Sequence, residues 1–140
     1  MIRFVLFCSI LLSGCMTQAR GSSTGEPENI LYTYKDDREN SKILLTYEND
    51  KSVQMCLSPN NWPNSAGKIN QAASRVILEI DGRAFPLEDF NTGYCANCSI
   101  RVKPQEMITG VLSYQDFGIP VDLYNSSKVL RFQPRAYPCN

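Results

Sequence analysis

Four of the six cysteines in this 140-residue chain lie beyond residue 50, and their spacing suggests how they react. Cys95 and Cys98 are two residues apart, whereas Cys56 and Cys139 are each isolated. An even number of cysteines in an exported domain indicates disulfides, and four cysteines allow three pairings. We favour Cys56–Cys139 together with Cys95–Cys98, because the first bridge would fasten the carboxyl-terminal end of the chain to an early strand.

The segment Cys95-Ala96-Asn97-Cys98 also has the spacing of a thiol redox pair. That chemistry is helped by a helix N-terminus that stabilises the thiolate, whereas residues 99–103 read as a strand. A four-cysteine zinc site would need a second close pair, which the remaining cysteines do not form. The redox and zinc interpretations stay open, but a structural disulfide fits better, and we predict no metal and no cofactor.

The chain contains no histidine. This removes the most frequent general base and excludes Ser–His–Asp and Cys–His catalytic sites. Glu88 and Asp89 are neighbours on a predicted strand and would point to opposite faces. The acidic run at 36–39 lies in a predicted turn and lacks the ligand spacing of a calcium-binding loop. The sequence therefore predicts a protein that is not an enzyme and has no catalytic residues.

The elements that would position these residues are short strands separated by turn residues. Asn49-Asp50 and Asp81-Gly82 each predict a hairpin, and only residues 69–75 could be helical. Seven or eight strands predict an all-β domain, which we expect to be an immunoglobulin-like β-sandwich, with a small antiparallel barrel as the alternative. The predicted strands cover residues 31–34, 42–48, 52–58, 75–81, 83–90, 99–103, 107–114 and 129–132.

The long loop between Ser58 and Arg75 is the first candidate binding surface. It carries Asn61, Lys68 and the only tryptophan, Trp62. A loop of this length in a compact domain is more often functional than not, and tryptophan is enriched where partners bury surface. The alternative is that Trp62 folds back over the end of the sandwich.

The segment 89–98 is the second candidate. Phe90 and Tyr94, together with a Cys95–Cys98 bridge, would form a rigid aromatic tip that loses little entropy on binding. The alternative is that both rings close the core.

The amino terminus predicts where the protein resides. Arg3 precedes an apolar run at residues 4–12, which at about 1.5 Å per helical residue is far short of a bilayer core of roughly 30 Å. A charged start, a run of this length and small residues after it are typical of a secretory signal peptide.

Leu12-Ser13-Gly14-Cys15 resembles the lipobox of bacterial lipoproteins. The resemblance implies cleavage before Cys15 and lipidation of that cysteine, and several acyl chains make a stable membrane anchor. Because Met16 rather than an acidic residue follows, the resemblance implies sorting to the outer membrane in an enteric-type host. The globular part resembles no family that we recognise.

The predicted organisation is a cleaved signal peptide at residues 1–14, lipidated Cys15 with a flexible tether at 15–29, and a single β domain at 30–140. The full chain has 14 basic and 14 acidic residues, and loss of Arg3 leaves 13 basic ones. A near-neutral chain without a basic block argues against nucleic acid as a partner, so the lipid would carry the membrane attachment.

We therefore expect an outer-membrane lipoprotein that faces the periplasm and binds an envelope or exported protein without catalysis. In its sharpest form it would be an inhibitor or immunity protein directed against a cell-envelope hydrolase. The alternatives are an envelope-assembly or structural accessory and, less favoured, a redox protein that uses Cys95 and Cys98.

Overall fold

The computed structural model describes residues 26–64, 67–69, 76–88 and 99–139, which form ten strands and two short 3-10 helices. All strand pairs for which a register is defined are antiparallel, so the all-β prediction is confirmed, and the immunoglobulin-like arrangement stays a prediction. The strands are β1 (Glu28–Asn29), β2 (Thr33–Asp37), β3 (Lys42–Glu48), β4 (Met55–Leu57), β5 (Ile77–Ile80), β6 (Arg83–Pro86), β7 (Ile100–Val102), β8 (Met107–Ser113), β9 (Lys128–Arg131) and β10 (Arg135–Pro138). The 3-10 helices span Tyr114–Phe117 and Val121–Leu123.

The strands form three open sheets, in the orders β1–β10–β4–β7, β2–β3–β8 and β6–β5–β9. Each sheet buries one face in a common core, to which Leu57, Leu45 and Leu78 contribute fully buried side chains. This arrangement is consistent with a small β-sandwich. Burial of a side chain of this size contributes about 1.5–3 kcal/mol, so the shared core is what holds the three sheets together.

β3 and β8 form the longest ladder in the described residues, with seven residue pairs from Lys42↔Ser113 to Glu48↔Met107. Ile43, Leu45 and Tyr47 of β3 are buried, because alternate side chains of a strand point to the same face. The outer face of this pair carries Leu44, Thr46, Glu48, Met107, Thr109 and Val111.

The hairpin predicted at Asn49-Asp50 is wrong. β3 pairs with β2 and β8, whereas β4 lies in another sheet beside β10 and β7. The cause is Asn49, which is fully buried and whose Nδ2 donates to the carbonyls of Val53 and Val102, at 2.9 Å each. These bonds direct the chain from the sheet that contains β3 into the sheet that contains β4. The local pattern of turn residues does not reveal them, because Val102 is far away in the sequence.

The hairpin predicted at Asp81-Gly82 is confirmed. It joins β5 and β6, with Ile80 paired to Arg83. Asp81 has φ 49° and Gly82 has φ 75°, and a two-residue turn of the type that matches strand twist needs positive φ at both positions.

The two ends of the described chain meet in a pairing that the sequence did not predict. β1 pairs with β10, and β10 also pairs with β4, so the carboxyl-terminal strand is an inner strand of its sheet. The prediction missed β10 because its proline-flanked sequence, RAYP, weakens the strand signal. The expected tether therefore ends before residue 28, since Glu28 and Asn29 already belong to the sheet.

The disulfide Cys56–Cys139 is present and joins β4 to the residue that follows β10. The backbone N–H of Cys139 also donates to the carbonyl of Gln54, at 2.9 Å. The bridge favoured on the sequence is thus confirmed, whereas Cys95 and Cys98 lie outside the described residues.

A line of side-chain contacts between β2 and β9 joins two of the sheets, and we call it the β2–β9 seam. The Tyr32 hydroxyl, just before β2, donates to the Phe132 carbonyl at 2.9 Å, and the Leu130 N–H donates to the Tyr34 hydroxyl at 3.3 Å. Asp36 and Lys128 form the third contact, at 3.7 Å. Two tyrosine hydroxyls therefore bond backbone groups in β9 and directly after it, at an edge that no strand among the described residues covers.

We predict that replacing both Cys56 and Cys139 by alanine lowers the free energy of unfolding by about 4 kcal/mol, because the bridge restricts a long loop of the unfolded chain. The two cysteines are 83 positions apart in the sequence. Urea denaturation followed by circular dichroism measures the change.

Ser99→Ala is the matched control, because the Ser99 hydroxyl lies 3.7 Å from Cys56 Sγ without being part of the bridge. A double cysteine variant as stable as the Ser99→Ala protein would contradict the prediction.

Candidate functional site

Trp62 is buried, with 1% of its surface exposed. Its ring packs against Tyr32 and Tyr47, with ring centroids 6.4 and 6.2 Å away. The expectation that Trp62 lies on the binding surface is therefore wrong, and the alternative, in which it folds back onto the domain, is what the structure has. The Trp62 ring has a large apolar area, and burying this area in the core stabilises the folded state.

The loop that holds Trp62 closes the free edge of β8. The Trp62 Nε1–H points to the Thr109 carbonyl, with 3.5 Å between nitrogen and oxygen. Gly67 lies so close that a Cβ atom there would be 3.0 Å from the Val111 carbonyl oxygen. Because an exposed strand edge invites pairing with other chains, this loop shields a surface that would otherwise favour aggregation.

Gly110 of β8 makes this close approach possible. A Cβ atom at this position would lie 3.0 Å from Pro63 Cγ and 3.2 Å from Trp62 Nε1. The sequence shows a glycine inside a strand, which is a signal of close backbone approach, but not which part of the chain approaches.

Asn61 and Lys68 both hold the loop in place. The Asn61 N–H donates to the Ser58 carbonyl at 2.8 Å, and the Lys68 N–H donates to Asn64 Oδ1 at 3.0 Å. The Lys68 ammonium pairs with Asp116, 2.7 Å away and nearly buried in the 3-10 helix Tyr114–Phe117. Lys68 is therefore part of an internal ion pair, which reduces what it can offer to a partner.

The other candidate residues lie outside the described residues. These are Phe90 and Tyr94 of the binding surface, Cys95 and Cys98 of the second bridge, and the lipidation residue Cys15. Their roles stay predictions.

A buried cluster of titratable groups lies at the end of the β2–β9 seam. The Lys128 side chain is fully buried, and its ammonium donates to the carbonyls of Tyr124 and Ser126, at 2.6 and 2.9 Å. Tyr114 is also fully buried, and its hydroxyl donates to Asp36 Oδ1. The ammonium lies 4.4 Å from the centroid of the Tyr114 ring, which suits a cation–π contact.

Burial shifts the pKa values of this cluster. Desolvation lowers the pKa of Lys128, and the Asp36 carboxylate acts in the opposite direction. Desolvation, followed by the hydrogen bond to Asp36, raises the pKa of Tyr114 well above its usual range. The Lys128 ammonium is surrounded by the two carbonyl oxygens and by the Asp36 carboxylate. We therefore interpret the cluster as structural, because it holds β2 and β9 together.

A hollow of about 390 Å³ lies where β1 and the start of β2 meet the ends of β3 and β8, and we call it the acidic hollow. It is lined by residues 28–33, 46–48, 50–51 and Met107. Leu31 is 90% exposed and Met107 is 59% exposed, so the hollow carries apolar side chains in contact with water. The sequence placed Leu31 and Met107 in strands but gave no sign that both lie at the same hollow.

A second hollow, next to Trp62, is lined mainly by apolar groups of Pro59, Pro63, Ile100 and Ile108. It borders segments that the structure does not describe.

Among the described residues, no group of three or more Cys, Asp or Glu side chains could hold a metal ion. No helix in the described ranges is long and apolar enough to cross a membrane.

We predict that Gly110→Ala lowers the free energy of unfolding by about 1–3 kcal/mol, because the added methyl group forces Trp62 and Pro63 away from β8. Trp62 is the only tryptophan, so its fluorescence should shift to longer wavelength as the ring becomes exposed to water. Thr109→Ala, a neighbouring exposed position, is the control. An unchanged emission maximum in the Gly110→Ala protein would contradict the packing described for the loop.

The tyrosine pKa shift predicts a loss of stability above pH 10. The folded state keeps the Tyr114 phenol protonated while the unfolded chain ionises near pH 10, so each pH unit above 10 costs up to about 1.4 kcal/mol for this group. Lys128 acts with the opposite sign, because its lowered pKa makes stability rise with pH up to the unfolded value of 10.5.

We therefore expect urea midpoints measured from pH 9 to 12 to fall less steeply at high pH in Tyr114→Phe than in the wild type. Tyr137→Phe, in β10 of another sheet, is the control. Equal slopes in the wild type and Tyr114→Phe would show that the phenol is not held as described.

Comparison with protein-family models, with curated proteins and with solved structures finds no match to this chain. The residues of the chain itself are therefore the basis for inferring its function.

Proposed function

We propose that this protein is a lipid-anchored lipoprotein of the bacterial cell envelope, facing the periplasm, that binds another protein and does not catalyse a reaction. In the sharpest form of the proposal it inhibits a cell-envelope hydrolase. The anchor rests on Cys15, which closes the lipobox-like Leu12-Ser13-Gly14-Cys15. Met16 after the cysteine supports sorting to the outer membrane.

The apolar rim of the acidic hollow is the observation that carries the binding part of the proposal. Single exposed apolar residues are common on protein surfaces, but Leu31 and Met107 are 90% and 59% exposed and line the same concave surface. Concave surfaces that combine apolar walls with a few polar groups are typical of binding sites.

The sheet face next to the hollow adds to this surface. Leu44 of β3 and Val111 of β8 are paired across the ladder on the outer face, and Val111 is 37% exposed. A row of threonines, Thr33, Thr46 and Thr109, separates this pair from Met107. A regular strand face holds its side chains rigidly, which lowers the entropy lost on binding.

The proposal is tested by affinity capture with the lipid-free Cys15→Ala protein and solubilised cell envelopes. We expect a stoichiometric partner whose affinity falls at least about tenfold in Met107→Asp, because a charge in the centre of an apolar contact is costly to bury. Val129→Asp is the matched control, because Val129 is 52% exposed in β9, in a different sheet.

Loss of the partner in both aspartate variants, or in neither, would contradict a binding surface at the hollow. A captured hydrolase that loses activity at one-to-one stoichiometry would support the inhibitor form. Capture of outer-membrane assembly proteins alone would favour the accessory alternative instead.

A further inference from the structure

The acidic hollow lies at the end of the domain where the chain enters it. The described residues begin at Glu26, and Glu28, two positions later, already lines the hollow. Since consecutive Cα atoms are about 3.8 Å apart, Glu26 lies within about 8 Å of Glu28. The proposed tether from Cys15 therefore joins the domain beside the proposed binding surface.

The opposite end of the domain carries the two 3-10 helices. β8 begins at Met107, beside the hollow, and its far end continues into the 3-10 helix Tyr114–Phe117. With seven residues at about 3.3 Å each, β8 separates these two ends by about 20 Å. The second 3-10 helix begins with Val121, which is 78% exposed. It is followed by Tyr124, whose ring centroid lies 5.1 Å from that of Tyr114.

The length of the tether limits how far the hollow can turn away from a membrane to which Cys15 is fixed. Glu26 is eleven positions after Cys15, so the chain between them spans at most about 40 Å. A compact domain of about 110 residues has a radius of about 17 Å, and a path over its surface from one pole to the other covers about 53 Å. The path still covers about 45 Å when Glu26 lies about 8 Å from the pole. The lipid-anchored domain would therefore hold its hollow toward the membrane or beside it.

The charges at the hollow distinguish the two kinds of surface found at a membrane, which are the lipid bilayer and the proteins embedded in it. Within the part of the chain that the structure describes, the lining has three carboxylates and one lysine, from Glu28, Glu48, Asp50 and Lys51. Basic residues attract a protein to anionic lipid, and an excess of carboxylates has the opposite effect. The exposed apolar rim formed by Leu31 and Met107 therefore fits a protein surface better than anionic lipid headgroups.

We propose that the acidic hollow faces the membrane that holds the lipid anchor and binds the periplasmic surface of a protein embedded in that membrane. This inference rests on the proposed function, namely on lipidation of Cys15 and on a binding surface at the hollow, and it states where the partner resides. Leu31 and Met107 pack against an apolar patch of the partner close to the lipid headgroups. A hydrolase inhibited at this site is then itself a membrane protein.

A short tether raises the concentration of the hollow near such a partner. Effective concentration falls roughly as the −3/2 power of the length of a flexible linker. Insertion of about 30 Gly and Ser residues between Gly25 and Glu26 lengthens the tether from eleven to about 41 positions and should lower binding to a membrane-embedded partner about sevenfold. A partner that arrives from solution shows no such loss, because its rate of encounter does not depend on the tether.

The test uses the full, lipid-anchored chain in living cells, with Met107→p-benzoylphenylalanine as the photo-crosslinking variant. The intact mass of the purified protein reports acylation of Cys15. We expect crosslinks to a protein that stays in the membrane during alkaline carbonate extraction, with a yield that falls about sevenfold when the tether is lengthened. Val121→p-benzoylphenylalanine, at the opposite end of the domain, is the control for position. The same Gly and Ser segment appended after Asn140 is the control for length.

Four results would overturn the inference. These are crosslinks to a soluble protein, crosslinks to lipid alone, equal yields from positions 107 and 121, and a yield that the longer tether leaves unchanged. Absence of any crosslink from position 107 would have the same consequence.

A second measurement reports the orientation of the domain without a partner. In lipid nanodiscs that contain a gadolinium-chelating lipid, the Met107 methyl NMR signal should broaden more than the Val121 methyl signals, because the hollow lies nearer to the headgroups. The lipid-free Cys15→Ala protein should lose this difference. Stronger broadening at Val121 would overturn the inference.

Capture experiments separate the inference from the function on which it rests. If the lipid-free protein captures a soluble partner that Met107→Asp loses, and Cys15 of the wild type is acylated, the proposed function stands and the membrane-embedded partner is wrong. If Cys15 carries no acyl chain, or no partner depends on Met107, the proposed function itself fails.

Discussion

The β2–β9 seam is the contact on which the rest of this structure depends. Two three-stranded sheets meet there through side chains, because Tyr32 and Tyr34 bond backbone groups at Phe132 and Leu130. Neither sheet is large, and a small isolated sheet with one apolar face is only marginally stable in water. By joining them, the seam lets both sheets bury residues in a single core and fixes where the start of β2 lies.

The position of β2 in turn shapes the acidic hollow. Tyr32 bonds the Phe132 carbonyl and also packs against Trp62, so the chain just before β2 is held from two sides. Leu31 is next to this fixed residue and points to water instead. Leu31 is thus exposed at the rim of the hollow because the adjacent Tyr32 is held in place. In this way the β2–β9 seam connects the packing of the domain to its proposed binding surface.

Two groups of charged residues, among those that the structure describes, differ in their surroundings. Lys68 and Lys128 lie against Asp116 and Asp36 in places largely closed to water, where removal of one partner would leave an uncompensated charge. Glu48 and Asp50 are exposed at the acidic hollow and lack ion-pair partners among the described residues. The first group holds loops and strands in place, and the second group contributes negative charge to the acidic hollow.

Local patterns were sufficient for several elements. The strand-like composition of residues 42–48 predicted β3 with its observed bounds, and Asp81-Gly82 predicted the β5–β6 turn, because both signals depend only on neighbouring residues. Cysteine count and position favoured the Cys56–Cys139 bridge among three possible pairings, and the structure contains it. The lipobox-like segment at Cys15 remains a sequence prediction.

What only the tertiary structure decided depends on residues far apart in the chain. Asn49 sends β4 to another sheet by bonding Val102, and β10 becomes an inner strand by pairing with β1 and β4. Trp62 is buried because Gly110, 48 positions later in the sequence, leaves room for the loop. Burial and long-range strand pairing depend on the whole fold. The sequence alone therefore determined an all-β domain with a disulfide. The candidate site became visible only in the tertiary structure, because it is formed by segments that are distant in the sequence.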